Sequence, residues 1–152
     1  MDRGLVVLRD TGHTEQLLRE AGEHAAGVGA ELLLLSFISE DDYEENLETL
    51  NSIGDIENVN YDETAALEAV EEDVEDAAKA AFGDRSVDYV SNVVVTEGDE
   101  YADATLEVAA EHDCDHVYVV GRERTPTGKA IFGDQVQKLI LNFDGFVTVT
   151  MQ

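Results

Sequence analysis

The sequence predicts an α/β fold: an open five-stranded parallel sheet with helices packed on both faces. Three observations carry this reading. Dense aliphatic blocks such as Leu32 to Leu35 and Val117 to Val120 are too short for helices and read as strands buried on both sides. Longer stretches between them repeat apolar residues every three or four positions, as helices covering a sheet do. Neither an internal repeat nor a low-complexity linker interrupts the alternation, so residues 1–152 read as a single domain.

Gly4 to Leu8 form the first strand, and after the break at Asp10-Thr11-Gly12, Leu17, Leu18, Ala21, Ala25 and Val28 mark the first helix. Gly29 is placed to end that helix in the left-handed conformation, and Glu31 leads into a second strand from Leu32 to Phe37. The resulting βαβ unit calls for a right-handed crossover. From Glu40 to Asn60 the chain is acidic and irregular, with Asp41, Asp42, Glu44, Glu45 and Glu48 around a short helix ending near Ile53 and Gly54. Order returns near Asp62. There Leu67, Val70, Val74, Ala77, Ala78 and Ala81 make one helical face, opposite a solvated acidic face of Glu68, Glu71, Glu72 and Glu75.

Val87 to Val95 read as the third strand, with Ala102, Leu106, Ala109 and Ala110 as the buried stripe of the next helix. Val117 to Val120 are the fourth strand. Val136, Leu139, Ile140 and Phe143 define the last helix, closed by Gly145, and Phe146 to Met151 are the fifth strand. In that strand Val147 and Val149 alternate with Thr148 and Thr150, which suits a sheet edge with one wetter face. An exposed edge invites pairing, so a homodimer through this strand is expected.

Composition narrows the function. With 43% hydrophobic residues in 152, the chain has ample material for a core, while 35 acidic residues against 9 basic ones give a net charge of −26. So negative a surface is repelled by duplex DNA and by anionic lipid, which argues against nucleic-acid and membrane partners. It is also the surface that a salt-packed cytosol tolerates, because counterions screen its self-repulsion. Cys114 is the sole cysteine and has no internal partner, no basic-then-apolar leader opens the sequence, and no long apolar run occurs; a cytoplasmic protein is expected.

In an open parallel sheet, ligands bind beyond the carboxyl ends of the strands, where the connections switch direction. The relevant loops follow strands one and four. The first offers Asp10, whose carboxylate could cap the first helix or face a ligand as an acceptor. The second runs from Gly121 to Asp134, and Arg122, Arg124, Lys129 and Lys138 in or just after it gather four of the nine basic residues into a positive patch. It is not a P-loop: six residues separate Gly121 from Gly128 where four are needed, and Ala130 replaces the Mg²⁺-binding hydroxyl. Asp134 stands where an N-cap is expected, with Gln137 three residues on as capping-box partner, so that its carboxylate would occupy the helix-start N–H groups.

His112-Asp113-Cys114-Asp115-His116 has metal-ligand chemistry but reads as structural: His112 ends a helix, Cys114 fills a buried turn and His116 opens strand four at its amino end, away from the ligand edge. No metal site is expected. His13 and His24 fall on the first helix, and no Ser, His and Asp constellation assembles, so no catalytic residue is assigned.

Leu5-Val6-Val7-Leu8-Arg9-Asp10, Gly29-Ala30-Glu31-Leu32, Val119-Val120-Gly121 and Gly133 together resemble the universal stress proteins, here in an acidic, haloarchaeal-type form. The resemblance covers nearly the whole chain. It implies a Rossmann-like, adenine nucleotide alpha hydrolase-like sheet of order 3-2-1-4-5, dimers through the last strand and, in one branch, ATP with Mg²⁺ held by the strand-one Asp and the loop after strand four. That loop's pattern is Gly, two residues, Gly, nine residues, Gly, then Ser or Thr. This chain departs from it with Arg124 in place of Gly, one residue fewer before Gly133, and Asp134 in place of the hydroxyl residue.

The resemblance and the topology imply a regulatory binding module that is not a dedicated enzyme. Asp10 would meet the ribose or base, Leu8 and Phe37 would wall the base, and Gly121 would allow close backbone approach. Arg122, Arg124 and Lys129 would meet the phosphates, and Gly133 with Asp134 would supply the helix start. The competing expectation is a nucleotide-free interaction dimer in which Asp134 merely caps and the arginines pair with neighbouring carboxylates.

Overall fold

The strands β1 (Arg3–Leu8), β2 (Glu31–Ser39), β3 (Asp88–Thr96), β4 (His116–Gly121) and β5 (Phe146–Met151) form one parallel sheet in the order β3-β2-β1-β4-β5. A computed structural model describes residues 1–9, 14–45, 48, 63–97, 100–121 and 133–151. Among these the helices are α1 (Thr14–Val28), α2 (Glu63–Phe82), α3 (Ala102–Glu111) and α4 (Asp134–Asn142). Residues 40–45 and 48 are also helical, whereas Ile53 and Gly54, where a short helix was expected to end, lie outside the described residues.

Alternation along each strand sends side chains to two cores. Val6, Leu8, Leu32 and Leu34 pack with Leu17, Leu18, Ala21 and Ala25 of α1 and with Val74, Ala78, Ala81 and Phe82 of α2. On the other face Leu5, Val7, Leu33, Leu35, Val117 and Val119 meet Ala102 and Ala109 of α3 and Val136 and Leu139 of α4. Leu5, Leu17, Leu18 and Leu32 to Leu35 are fully buried, each contributing about 1.5–3 kcal/mol. The central pair β1 and β2 is covered on both faces, which is why their sequences are continuous rather than alternating.

Gly29 does close α1: its φ is +69°, and the Ala30 N–H donates to the Ala25 carbonyl at 2.9 Å in the six-to-one bond of a Schellman motif. Val28, expected in the buried stripe, is half exposed because the turn begins there and carries it past the inward face. In α3 the buried stripe is Ala102, Thr105 and Ala109, with Ala110 exposed. An alanine-rich helix defines its inward face weakly, and Thr105 is accommodated because its hydroxyl donates to the Tyr101 carbonyl at 2.8 Å. Ile140 is likewise exposed. α4 ends at Phe143, whose backbone is extended, rather than on Gly145; that glycine instead admits the Asp115 carbonyl, which would lie 2.6 Å from a Cβ.

Candidate functional site at the carboxyl edge of the sheet

Near the carboxyl ends of the strands, alternation turns Arg9, one residue past β1, and Phe37, two residues before the end of β2, toward the α3/α4 layer. The Arg9 guanidinium lies 4.4 Å over the ring of Tyr101, and the Phe37 ring packs against the same tyrosine at 5.7 Å. A cation over an aromatic face is attracted by the ring quadrupole. Tyr101 immediately precedes α3 and is itself tied to α4: Gln135 Oε1 accepts from the backbone N–H of Tyr101 at 3.0 Å and of Ala102 at 2.8 Å. A side chain of one helix thus satisfies orphan donors at the start of another. Lys138 Nζ, 2.8 Å from Asp103 Oδ1, makes a second tie between the two helices, so this member of the expected positive patch has a carboxylate partner.

These contacts fix where α4 begins. Gly133 is its N-cap, with φ +92° and, among the described residues, nothing within 4 Å of where a Cβ would project. The expected capping box is not formed. Gly133 takes the cap position in a conformation glycine tolerates, α4 starts at Asp134, and no side-chain cap bond is made. Asp134 is then the first helical residue and exposed, while the Gln137 N–H donates to the Gly133 carbonyl at 3.0 Å in the ordinary helical pattern. Gly133 has no side chain with which to cap the first-turn N–H groups, and Asp134 places negative charge at the positive end of the helix dipole.

Gly121 is buried at the end of β4, opposite Met151 of β5. Asp10, Arg122, Arg124 and Lys129 lie outside the described residues. Leu8 faces the opposite layer, so the structure brings Phe37, Gly133 and Asp134 to one side of the sheet and Leu8 to the other. At the strand ends a cavity of about 220 Å³ opens toward α1 and α2, its lining including Leu8, Arg9, Phe37 and Val74. The Arg9–Tyr101–Phe37 group and the capping role of Gln135 were not anticipated. The available signal was strand alternation: Arg9 follows Leu5 and Val7 on the face that α3 and α4 cover.

The histidine-rich segment lies at the other end of the sheet. The His112 carbonyl accepts from Arg3 Nη1 at 2.7 Å, and Asp113, at φ +54°, is the left-handed residue of a Schellman motif closed by Cys114 N–H to the Ala109 carbonyl at 2.9 Å. Cys114 is buried, which pushes its thiol up to about 11. His116 Nε2 and Thr148 Oγ1 are 2.7 Å apart, and the His116 ring stacks on Tyr118 at 4.5 Å. Burial, then the neighbouring His24, holds the His116 pKa below its ordinary value. Tyr118 hydrogen-bonds His24 Nδ1, and burial raises its pKa to about 12. Among the described residues no three His, Cys, Asp or Glu side chains converge on a metal position. No described helix is long and apolar enough to cross a membrane.

The universal stress protein family model matches residues 1–150. No curated protein matches the chain. Among solved structures, the chain is similar to hypothetical protein MJ0577 at 15% identity, covering 99% of this chain and 96% of that one, with a TM-score of 0.66. It is similar to a universal stress protein in complex with cAMP at 19% identity, 99% and 96% coverage and a TM-score of 0.60. A universal stress protein from Archaeoglobus fulgidus in complex with dAMP matches at 15% identity, 98% and 96% coverage and a TM-score of 0.59. At such identities the likenesses carry the sheet and its order, and the family match spans the sequence almost end to end; the chain belongs to the universal stress protein family.

Proposed function

We propose that this chain is a regulatory binding module, cytoplasmic and acting as one domain over residues 1–152, that holds an adenine nucleotide between the loops after β1 and β4. The observation that carries the reading is the start of α4. Its N-cap, Gly133, brings no side chain onto the first-turn N–H groups, and no described residue lies within 4 Å of where its Cβ would project. Asp134, expected as the cap, is instead the first helical residue, which leaves the cap position to Gly133.

Gln135 links this helix start to Tyr101, and Tyr101 to Phe37 and Arg9, so an aromatic and cationic surface adjoins the phosphate position. Phe37 walls the base, Asp10 accepts from the ribose, Gly121 permits close approach, and Arg122, Arg124 and Lys129 neutralise phosphate charge. The adenine nucleotides in the two related structures support this choice of ligand class.

Titration calorimetry of ATP with Mg²⁺ in molar KCl tests the reading. The expected result is saturable binding, lost in Asp10→Ala and strengthened in Asp134→Ser. Absence of heat from the folded wild type would overturn it in favour of a nucleotide-free interaction dimer.

A further inference from the structure

Arg3, Glu31 and Asp88 are the first residues of β1, β2 and β3, and the register sets them side by side across the three strands. They share the alternation of Leu5 and Leu33, which places them on the α3/α4 face of the sheet. Cover on that face ends with α3. Its C-cap residue, His112, accepts from Arg3 Nη1 at 2.7 Å; farther across, Val94 of β3 still packs into the α3/α4 layer, whereas Val90, four residues earlier on the same face, is 60% exposed. A cavity of about 380 Å³ lies here, its lining including Arg3, Glu31, His112, Asp88, Val90 and Asn92. The charges in that lining are unequally matched. The Arg3 guanidinium is engaged twice, by the His112 carbonyl and by Glu31 Oε2 at 2.8 Å. Asp88 is exposed, has no hydrogen-bond or ion-pair partner among the described residues, and has the like charge of Glu31 as its neighbour on β2.

We infer that this cavity binds a small organic cation, an ammonium group on a compact apolar body, with the charge at Asp88 and Glu31 and the body against Val90. The volume is that of a small-molecule site, and burying the exposed Val90 side chain supplies affinity as water leaves it. Selection comes from charge: an ammonium gains a charge-assisted hydrogen bond to Asp88 and relieves the repulsion between the two carboxylates, whereas an anion meets both of them with the one guanidinium already engaged. The three charged residues open their strands, so the cavity lies at the amino edge of the sheet, the opposite end from the loops after β1 and β4, and the inference does not rest on the nucleotide reading.

The probe is benzylammonium, with benzyl alcohol as the uncharged analogue, titrated in half-molar KCl while backbone amide shifts are followed by NMR. Wild type is expected to show saturable shifts at the Val90 and Asn92 amides, with benzylammonium binding about fivefold more tightly than the alcohol, the upper range for one partly exposed ion pair. In Asp88→Asn that preference collapses to within about twofold. Asp84→Asn removes the same charge from an exposed position outside the lining and should leave the preference intact, which separates the cavity from the general attraction of a chain at −26. Val90→Lys, which sets an ammonium of the protein's own in the cavity, abolishes binding of both probes. The inference is overturned by a wild type whose shifts do not saturate or do not centre on Val90 and Asn92, or by an equal loss in Asp84→Asn and Asp88→Asn. Should Val90→Lys not fold, the two aspartate variants alone decide.

Discussion

A methyl group added at Gly22 would lie 2.5 Å from Phe82 Cδ1 and 2.8 Å from Cε1, closer than carbon atoms approach. Gly22 is buried within α1, where glycine costs about 1 kcal/mol relative to alanine in helix propensity. The loss is offset by contact: without a Cβ on α1, the Phe82 ring of α2 seats against the helix backbone and reaches Tyr89 at 5.5 Å. That ring cannot swing aside as the end of a flexible chain could. Gly4, by contrast, would meet first the Sδ of Met1, a group that can move. Gly22→Ala therefore sets a propensity gain of about 1 kcal/mol against an overpacking cost of about 1–3 kcal/mol. A net destabilisation of roughly 1 kcal/mol is expected, read as a lower urea midpoint with an unchanged m-value. A midpoint above wild type would show that Phe82 yields. The sequence does not reveal this contact, because Gly22 lies inside an otherwise regular helical pattern and its partner is 60 residues away.

At the scale of elements, the amino end of β4 joins α1, the chain start and β5. His116 bonds Thr148, faces His24 at 5.3 Å between ring centroids, and stacks on Tyr118 and Phe146. Burial and the nearby His24 disfavour its charged form in the fold, whereas the unfolded chain titrates near the ordinary 6.5. Below pH 6.5 the unfolded state therefore binds more protons, so this contribution to stability is complete above 6.5 and shrinks as pH falls toward the lower folded value. Denaturation midpoints at pH 7.5 and 5.5 should show the drop, and His116→Gln should flatten it; an equal drop in the variant would assign it elsewhere. The elements themselves were legible wherever burial on both faces or a helical stripe wrote them into the sequence, as in β1, β2 and α1. α3 was legible as a helix but not in its rotation, since Ala102, Ala109 and Ala110 differ little in what burial gains. The start of α4 was displaced by one residue, because an aspartate before an apolar stripe looks like a cap and only the backbone shows Gly133 in that place. Much of the candidate site comes from loops, where no periodicity exists to be read; Phe37 was legible because it lies toward the end of an apolar strand, while Tyr101 and Gln135 join it only through tertiary contact.

For the molecule as a whole, a charge of −26 and an open edge at β5 pull in opposite directions. Phe146 and Met151 at the two ends of β5, with Leu141 on α4, are exposed apolar groups that pairing between two copies would cover. A two-fold dimer through β5 would, however, carry 2 × (−26) = −52 charges, and charge repulsion also strains the folded monomer. Salt decides the balance: the Debye length falls from about 10 Å at 0.1 M to about 3 Å at 1 M, shorter than most separations between surface carboxylates. Raising KCl across that range should therefore lift the thermal midpoint by about 5 °C or more, on the order of 2 kcal/mol for a chain of this size. Light scattering should over the same range move from the 16.6 kDa of one chain toward twice that mass. Introducing charge at the edge with Met151→Lys should hold the protein monomeric in molar KCl while leaving the salt-dependent rise in midpoint within the single chain. A midpoint indifferent to KCl would mean that the local ion pairs, such as Arg3 with Glu31 and Arg85 with Glu23, already absorb the repulsion. A monomer that persists at high salt would leave the β5 edge protected by the charge of the molecule itself, since like-charged edges repel as effectively as paired ones are covered.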